Sequence, residues 1–476
     1  MELDKDLAAR QEARVLAAAA RKAQHLLADM EQSRLDEIVE AVAKAFAAEA
    51  VLLAELAVKE TGFGKVEDKV RKNLFASREV AKAIRDMKTV GLLRERKEEG
   101  IWEIGVPVGV IAAIVPSTNP TSTVCYKTLI ALKSGNPIIF SPHPKASECT
   151  RQAVRILEEA ACRAGAPKGS IGCLSIPSMA GCQELMAAPQ VRLILATGGP
   201  AMVKSAYSSG KPAIGVGAGN GPAYIHRSAD VGKALECILE SKTFDNGTVC
   251  ASEQSIIVEK NMEDTVLRTA ETLGYYFMNE KEAGRLAGLL FRPGGGLNPE
   301  IVGKTAIYLA EKAGFSVPPT TKILVAREEE AGPSRPYSME KLCPVLAFYV
   351  MENEDAVLKK CVEILDHEGS GHTFAMHCGD EPVIRRFAAK IPVSRFLVNV
   401  PAALGGIGAA TGLFPALTLG CGAVGGSSSS TNISPLDLIN IRRVAWGRAE
   451  EKPRQDNHEL VELLTRKIME KLEGKL

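Results

Sequence analysis

The sequence predicts an α/β protein: a doubly wound parallel sheet, a second α/β domain after it, and a late strand suited to pairing. Three observations carry that expectation. At 476 residues the chain is too long for one ordinary core, so two or three domains are expected. Short apolar runs bounded by Gly or Pro recur from 107 onward: PVGVIAAIVP (107–116), NPIIFSP (136–142), GCLSIP (172–177), VRLILAT (191–197) and KPAIGVG (211–217). Between them lie segments with helical spacing, such as TSTVCYKTLIALKSG and ASECTRQAVRILEEAACRAG. Continuous apolar strands alternating with helices indicate a parallel sheet covered on both faces.

Taken in order, residues 1–98 are rich in Ala, Leu, Glu and Lys at helical spacing and read as amphipathic helices. The sheet of the first domain follows, closing a unit expected over 1–222. Its loops PSTNP, SPHP and TGGP each follow a strand and should gather at the carboxyl edge, where ligands of such sheets sit. A second strand–helix alternation begins near Ala223 and defines a domain over 223–431, including the glycine-rich stretch 405–430. Residues 432–447 form a return segment whose INIRRVAWG (439–447) reads as an oligomerisation strand. A polar linker over 448–456 leads to a terminal helix over 457–476. There Leu460, Leu464, Ile468 and Leu472 fall at four-residue steps, with Val461 and Met469 flanking and Asn457 as N-cap.

The bulk numbers narrow the function. Hydrophobic content of 46% and charged content of 24% match a soluble globular protein. With 58 basic and 57 acidic residues the net charge is +1, unlike a nucleic-acid binder with a concentrated basic face. The eleven cysteines include no C-x-x-C pair, and the seven histidines do not join them at zinc spacing, so no metal site is expected. No run approaches the ~18 apolar residues that span a bilayer. Without a secretory leader, reduced thiols and a cytoplasmic location are the expectation.

Chemistry centres on FDNGTVCASEQ (244–254), where Cys250 follows an Asp-Asn-Gly-Thr turn. Cys250 reads either as a thiolate nucleophile, which needs access and a lowered pKa, or as a structural cysteine. Asn119 in VPSTNP reads as an oxyanion donor or as a turn asparagine. ATGGPAMVKSAY (196–207) is a strand, a glycine turn and a helix start, suited to a phosphate or simply to a tight turn. GVGAGNGP (215–222) lacks G-x-G-x-x-G spacing. His372 in GSGHTFAMH and Glu340 in MEKLCPVL read from the residues alone as surface or satisfied core groups.

Together PVGVIAAIVPSTNPTST, FSPHPKA, ATGGPAMVKSAYSSGKPAIGVGAGNGP, FDNGTVCASEQ and EKLCPVLAF resemble the aldehyde dehydrogenase superfamily, specifically its CoA-acylating branch. The likeness is greatest to the acetaldehyde and propionaldehyde dehydrogenases of bacterial microcompartments, and it runs to about Gly447. The resemblance implies an aldehyde dehydrogenase-like fold with a nicotinamide-cofactor domain and a catalytic domain. It implies that Cys250 is the nucleophile and that Asn119 or the neighbouring Thr118 donates to the oxyanion. NAD would lie along Thr197, Gly198 and Gly199, with Ser141, Pro142 and His143 at its adenosine and Glu340 at the ribose beside the nicotinamide. Ser117, Thr118 and Gly217 would complete the cofactor pocket. His372, in the GHT element, would stand beside the active-site mouth as a catalytic residue.

Two departures from the hydrolytic members bear on the reaction. Their ELGG glutamate, which activates water, is replaced here by Val216 or Gly217, and their ribose-binding lysine by Ser141. Water, with a pKa of about 15.7, needs a base to attack a thioester, whereas a thiol of pKa roughly 8.5 is partly ionised near neutrality. The expected reaction is therefore acyl transfer to coenzyme A. The alternatives are a hydrolytic aldehyde dehydrogenase, an acyl-phosphate reductase and a non-catalytic scaffold. A homodimer or homotetramer is expected. The terminal helix resembles an encapsulation peptide that docks on a microcompartment shell protein, which would put the enzyme inside that compartment.

Overall fold

The apolar runs become strands in three sheets. The structure is a computed structural model that describes residues 4–292, 296–447 and 457–474. The linker 448–456 and the capping side chain of Asn457 lie outside the described residues. Strands β1 (Gly91–Arg96) and β2 (Ile101–Pro107) belong to a three-stranded sheet. Strands β3 (Val110–Ile114), β4 (Ile138–Ser141), β5 (Ile171–Cys173), β6 (Val191–Thr197) and β7 (Ala213–Val216) form a second, in the order β5-β4-β3-β6-β7. Every neighbouring pair in it is parallel.

The third sheet holds β8 (Gly221–Ile225), β9 (Glu253–Glu259), β10 (Tyr275–Phe277), β11 (Ile323–Arg327), β12 (Val345–Met351), β13 (Gly371–His377) and β14 (Val393–Val398). Its order is β10-β11-β12-β9-β8-β13-β14, again parallel throughout. Strand β15 (Ile439–Ala445) lies beside β2 and completes the first sheet. One compact unit is built from Met1–Gly91 and Val106–Asn440, and a second from Leu92–Gly105 and Ile441–Leu476.

The five-stranded sheet reverses direction of growth at β3, which makes the gap between β3 and β6 a topological switch point. The whole of β3 is buried, because helices cover both faces. One of them, Pro120–Lys133, starts on a proline, whose fixed φ suits the first helical position. Its Lys127 is fully buried and donates to the carbonyls of Ile114 at 2.8 Å and Leu195 at 2.9 Å. That lysine pins the ends of β3 and β6 together where the crevice opens. On the other face the helix Lys5–Ala28 buries Ala9, Ala13, Ala17 and Ala20. These small side chains permit close approach: a Cβ on Gly181, in the helix Met179–Ala187, would sit 3.0 Å from the Cβ of Ala9.

Two expectations need correction. Helix was expected over all of 1–98, yet Gly91–Arg96 is a strand, since pairing with β2 overrides the helical preference of Leu, Arg and Glu. GCLSIP (172–177) supplies only Gly172 and Cys173 to the three-residue β5, Ile171–Cys173, and the strand ends before Pro177. The terminal helix runs Asn457–Glu473, and among the described residues none is long and apolar enough to cross a membrane.

The glycine-rich stretch 405–430 is held to the seven-stranded sheet by Arg395 on β14. Its guanidinium is buried and donates to Gly420 O at 2.7 Å, Gly371 O at 3.3 Å and Asn432 Oδ1 at 3.3 Å. Arg395→Met would strand these acceptors, at a cost of about 2–4 kcal/mol. Urea denaturation should show that loss, and limited proteolysis should show faster cutting within 405–430.

Candidate active site

The turn before Cys250 is built from left-handed residues. Asp245, Asn246 and Gly247 have φ of 49°, 51° and 76°. Asp, Asn and Gly are the residue types that visit this region most readily, whereas others lose about 1–2 kcal/mol each there. The Asp245 carboxylate is fully buried and accepts from Lys65 N at 2.7 Å, Lys69 Nζ at 2.9 Å, Lys72 Nζ at 2.5 Å and Thr248 Oγ1 at 2.6 Å. Its own N–H donates to Asp68 Oδ2 at 2.8 Å. Gly64 makes room for this packing, since a Cβ there would lie 1.9 Å from Asp245 Oδ1.

Burial alone raises the Asp245 pKa, but Lys72 and Lys69 override it and hold the group at about 2. Because this lies below the unfolded value of about 3.9, the carboxylate stabilises the fold above that pH. The contribution is lost as the pH falls towards 2. Burial lowers Lys72 to about 8 against the pull of Asp245.

Asn119 is the N-cap of the helix Pro120–Lys133, yet its side chain makes no capping bond. Instead Oδ1 accepts from Lys72 Nζ at 2.5 Å, while Nδ2 reaches Thr248 O and Thr118 Oγ1, each at 3.2 Å. Thr248 lies two residues before Cys250, so the amide and the thiol are carried by one bonded network.

Both line a cleft of about 920 Å³ at the carboxyl edge of the five-stranded sheet. Ser117 and Thr118 follow β3, Ser141, Pro142 and His143 end β4, Thr197, Gly198 and Gly199 end β6, and Gly217 follows β7; all line this cleft, as do Cys250 and Glu340. Val216, which precedes Gly217, also lines it and is buried.

Cys250 departs from the expected lowered pKa. The residue is half-buried, and desolvation pushes the thiol up to about 12, with Glu340 adding to the shift and Arg395 opposing it. It ends no helix N-terminus, because it lies in the turn leading into β9. Glu340 is itself pushed up to about 8 by burial and by Glu368. Its Oε1 accepts from Gly219 N at 2.9 Å, and its backbone N–H donates to Glu368 Oε2 at 2.6 Å. Gly219 admits no side chain: a Cβ there would stand 2.0 Å from Cys250 O and 3.1 Å from His372 Cε1.

His372 is not at the mouth. It is fully buried on β13, where Nδ1 meets Thr373 Oγ1 at 2.8 Å and Nε2 has no partner. Burial lowers its pKa to about 3, so the ring is neutral. Its Cε1 lies beside Gly219, near the Cys250 carbonyl, and the ring is not among the side chains lining the cleft. Sequence reasoning missed Lys69, Lys72 and Glu368. The two lysines sit three apart in EDKVRKN, a spacing that puts both on one helix face, but in sequence they look like solvated charges. A second cavity of about 700 Å³, lined by Arg71, Phe244 and Leu413 among others, shares Lys72 and Ile407 with the first.

The cleft suits a dinucleotide. A Cβ on Gly199 or Gly217 would meet nothing within 4 Å, so the strand ends border open space. The helix Pro200–Tyr207 begins there, with the positive end of its dipole at this edge.

A switch-point cleft that faces a cysteine and an amide is the arrangement of a nucleotide-cofactor enzyme with a covalent step. The sequence profile of the Aldehyde dehydrogenase family matches residues 5–273. A bifunctional aldehyde-alcohol dehydrogenase of Escherichia coli (strain K12) is 46% identical over 430 residues, which cover 89% of this chain and 48% of that protein. The chain thus spans about half the length of that relative. An acetylating aldehyde dehydrogenase from Geobacillus thermoglucosidasius superposes with a TM-score of 0.92 at 48% identity, covering 95% of this chain and 100% of that one. A propionaldehyde dehydrogenase from Rhodopseudomonas palustris, solved with bound CoA and an acylated cysteine, gives a TM-score of 0.82 at 28% identity, covering 91% and 97%. The chain belongs to the aldehyde dehydrogenase family, and its likeness to the CoA-acylating members extends along nearly its whole length.

The electrostatics predict how Cys250 alkylates. At pH 9 Glu340 is ionised and adds to the desolvation that keeps the thiol protonated, so Glu340→Gln should speed iodoacetamide labelling of Cys250 about threefold to tenfold. At pH 6, where Glu340 is already protonated, the two proteins should label alike. Peptide mass spectrometry reads the Cys250 peptide apart from the exposed Cys162.

Proposed function

We propose that the chain oxidises a short aldehyde, acetaldehyde or propionaldehyde, with NAD and coenzyme A to give acyl-CoA and NADH. The observation that carries this reading is the bond from Asn119 Nδ2 to Thr248 O, two residues before Cys250, in a cleft lined by Val216 and Gly217, where the resemblance to hydrolytic dehydrogenases would put the water-activating carboxylate. Cys250 gives up its proton to water in the cleft, and the resulting thiolate attacks the aldehyde carbon. The Nδ2 of Asn119 and the Cys250 backbone N–H then bind the resulting oxyanion. The nicotinamide supplies the hydride acceptor. Collapse of the oxyanion expels hydride from carbon and leaves an acyl thioester on Cys250. The CoA thiolate attacks that thioester and frees the Cys250 sulfur. The sequence can run backwards, because a thioester conserves the energy that hydrolysis would lose.

NAD over NADP follows from the family resemblance alone, because Ser141 at the adenosine end carries no charge that decides between them. Glu340 would meet the nicotinamide ribose. Its Oε1 is already engaged by Gly219 N, which weakens it as a base towards water.

In an assay of NADH formation with C2–C4 aldehydes, CoA should raise steady turnover at least 100-fold over CoA-free reactions. Cys250→Ala should abolish it. Equal rates with CoA withheld and free acid as product would establish hydrolysis instead, and unchanged turnover in Cys250→Ala would remove the thioester route.

The same proposal extends to assembly. Strand β15, with Ile441 and Trp446 exposed beside it, supports pairing into a homodimer or homotetramer. Along the helix Asn457–Glu473, Leu460, Leu464, Ile468 and Leu472 are all more than half exposed, a stripe suited to docking on a microcompartment shell protein. A fluorescent protein fused to 457–476 should enter shells when co-expressed with them, and Leu464→Glu with Ile468→Glu should leave it outside.

A further inference from the structure

We propose that Lys72 is a positioning residue for acyl transfer: its ammonium fixes and polarises the Asn119 carboxamide so that Nδ2 is presented to the substrate oxyanion. This inference rests on Asn119 being the oxyanion donor.

An asparagine at a helix N-cap normally spends its side-chain oxygen on a backbone N–H of the first turn. Asn119 does not. Its Oδ1 goes to Lys72 Nζ at 2.5 Å. A lysine ammonium has three donors and no acceptor, so only the amide oxygen can face it. The amide flip follows, and Nδ2 is left to turn towards Thr248 O and Thr118 Oγ1. A substrate oxyanion has to compete only with the 3.2 Å contact to Thr118 Oγ1 for one of its two N–H bonds.

The ammonium is also held still. Lys72 is 2% exposed, and Asp245 Oδ2 and Thr248 Oγ1 take its other two donors at 2.5 and 3.1 Å. Two lysines, Lys69 and Lys72, face the single Asp245 carboxylate. Asp68, the nearest other carboxylate, is engaged by Lys65 at 2.8 Å and Arg71 at 3.6 Å. One positive charge is therefore left over and directed along the bond to Asn119. Hydrogen bonds from a charged donor are stronger than neutral ones, and withdrawing electrons at Oδ1 makes the Nδ2 hydrogens better donors. A plain structural ion pair needs none of this, since Lys69 alone already neutralises Asp245.

The test is a double-mutant cycle on kcat for acyl-CoA formation, with folding checked by circular dichroism. Asn119→Ala should lower kcat about 100-fold. Lys72→Met should lower it about 10- to 100-fold, leave the KM for NAD within about twofold, and be partly rescued by Lys72→Arg. The decisive arm is the double variant: it should be no slower than Asn119→Ala alone. Where Lys72→Met does not fold, Lys72→Gln carries the same cycle. Losses that multiply in the double variant, or a folded Lys72 variant at wild-type kcat, overturn the inference while leaving Asn119 as donor. Wild-type kcat in Asn119→Ala sinks the oxyanion assignment itself, whatever Lys72 does.

Discussion

The Asp245 carboxylate, sealed between Lys69 and Lys72, is the interaction on which the site depends. A buried charge is tolerated only when it is paired and fully hydrogen-bonded, and Asp245 accepts four such bonds. Those bonds hold three left-handed residues in place, a strained path that a free loop would not keep. They also join pieces far apart in sequence. The helix Val66–Leu74 supplies the lysines, the 244–247 turn the carboxylate, and Thr248 the link to Asn119 and Cys250.

The same burial sets the resting state of Cys250, the proposed nucleophile. In the cleft as it stands Cys250 is held protonated, with desolvation first and Glu340 second as causes. A protonated thiol is slow to oxidise or to react with stray electrophiles. Positive charge brought into the cleft by a bound ligand would favour the thiolate, because an opposite charge nearby stabilises the ionised form. Gly219 keeps these parts within contact distance, as its bare Cα lets Cys250, Glu340 and the His372 strand close on one point.

The parallel sheets were legible because strands buried on both faces must be apolar at every position. VRLILAT (191–197) became β6 residue for residue. The loops at their carboxyl ends were legible for a related reason, since a doubly wound sheet leaves one edge open at the switch point. Gly91–Arg96 was not, because an amphipathic run of Leu, Arg and Glu fits a helix until a distant partner strand claims it. Lys69 and Lys72 were invisible as site residues. Nothing local distinguishes a lysine at the surface from one that a carboxylate 173 residues away draws inside. The burial of His372 was not legible, because a motif gives a neighbourhood, while packing on both faces of β13 decides that its ring is enclosed.

By itself, then, the sequence determined the succession of strands and helices, the Asp-Asn-Gly turn and the identity of the thiol it carries. Each of these follows from local conformational preference or from the apolar demand of burial. Only the tertiary structure decided which charges went inside, how Asn119 is oriented and whether Cys250 rests ionised. Those properties depend on distance and desolvation between groups that meet only after the chain has closed around them.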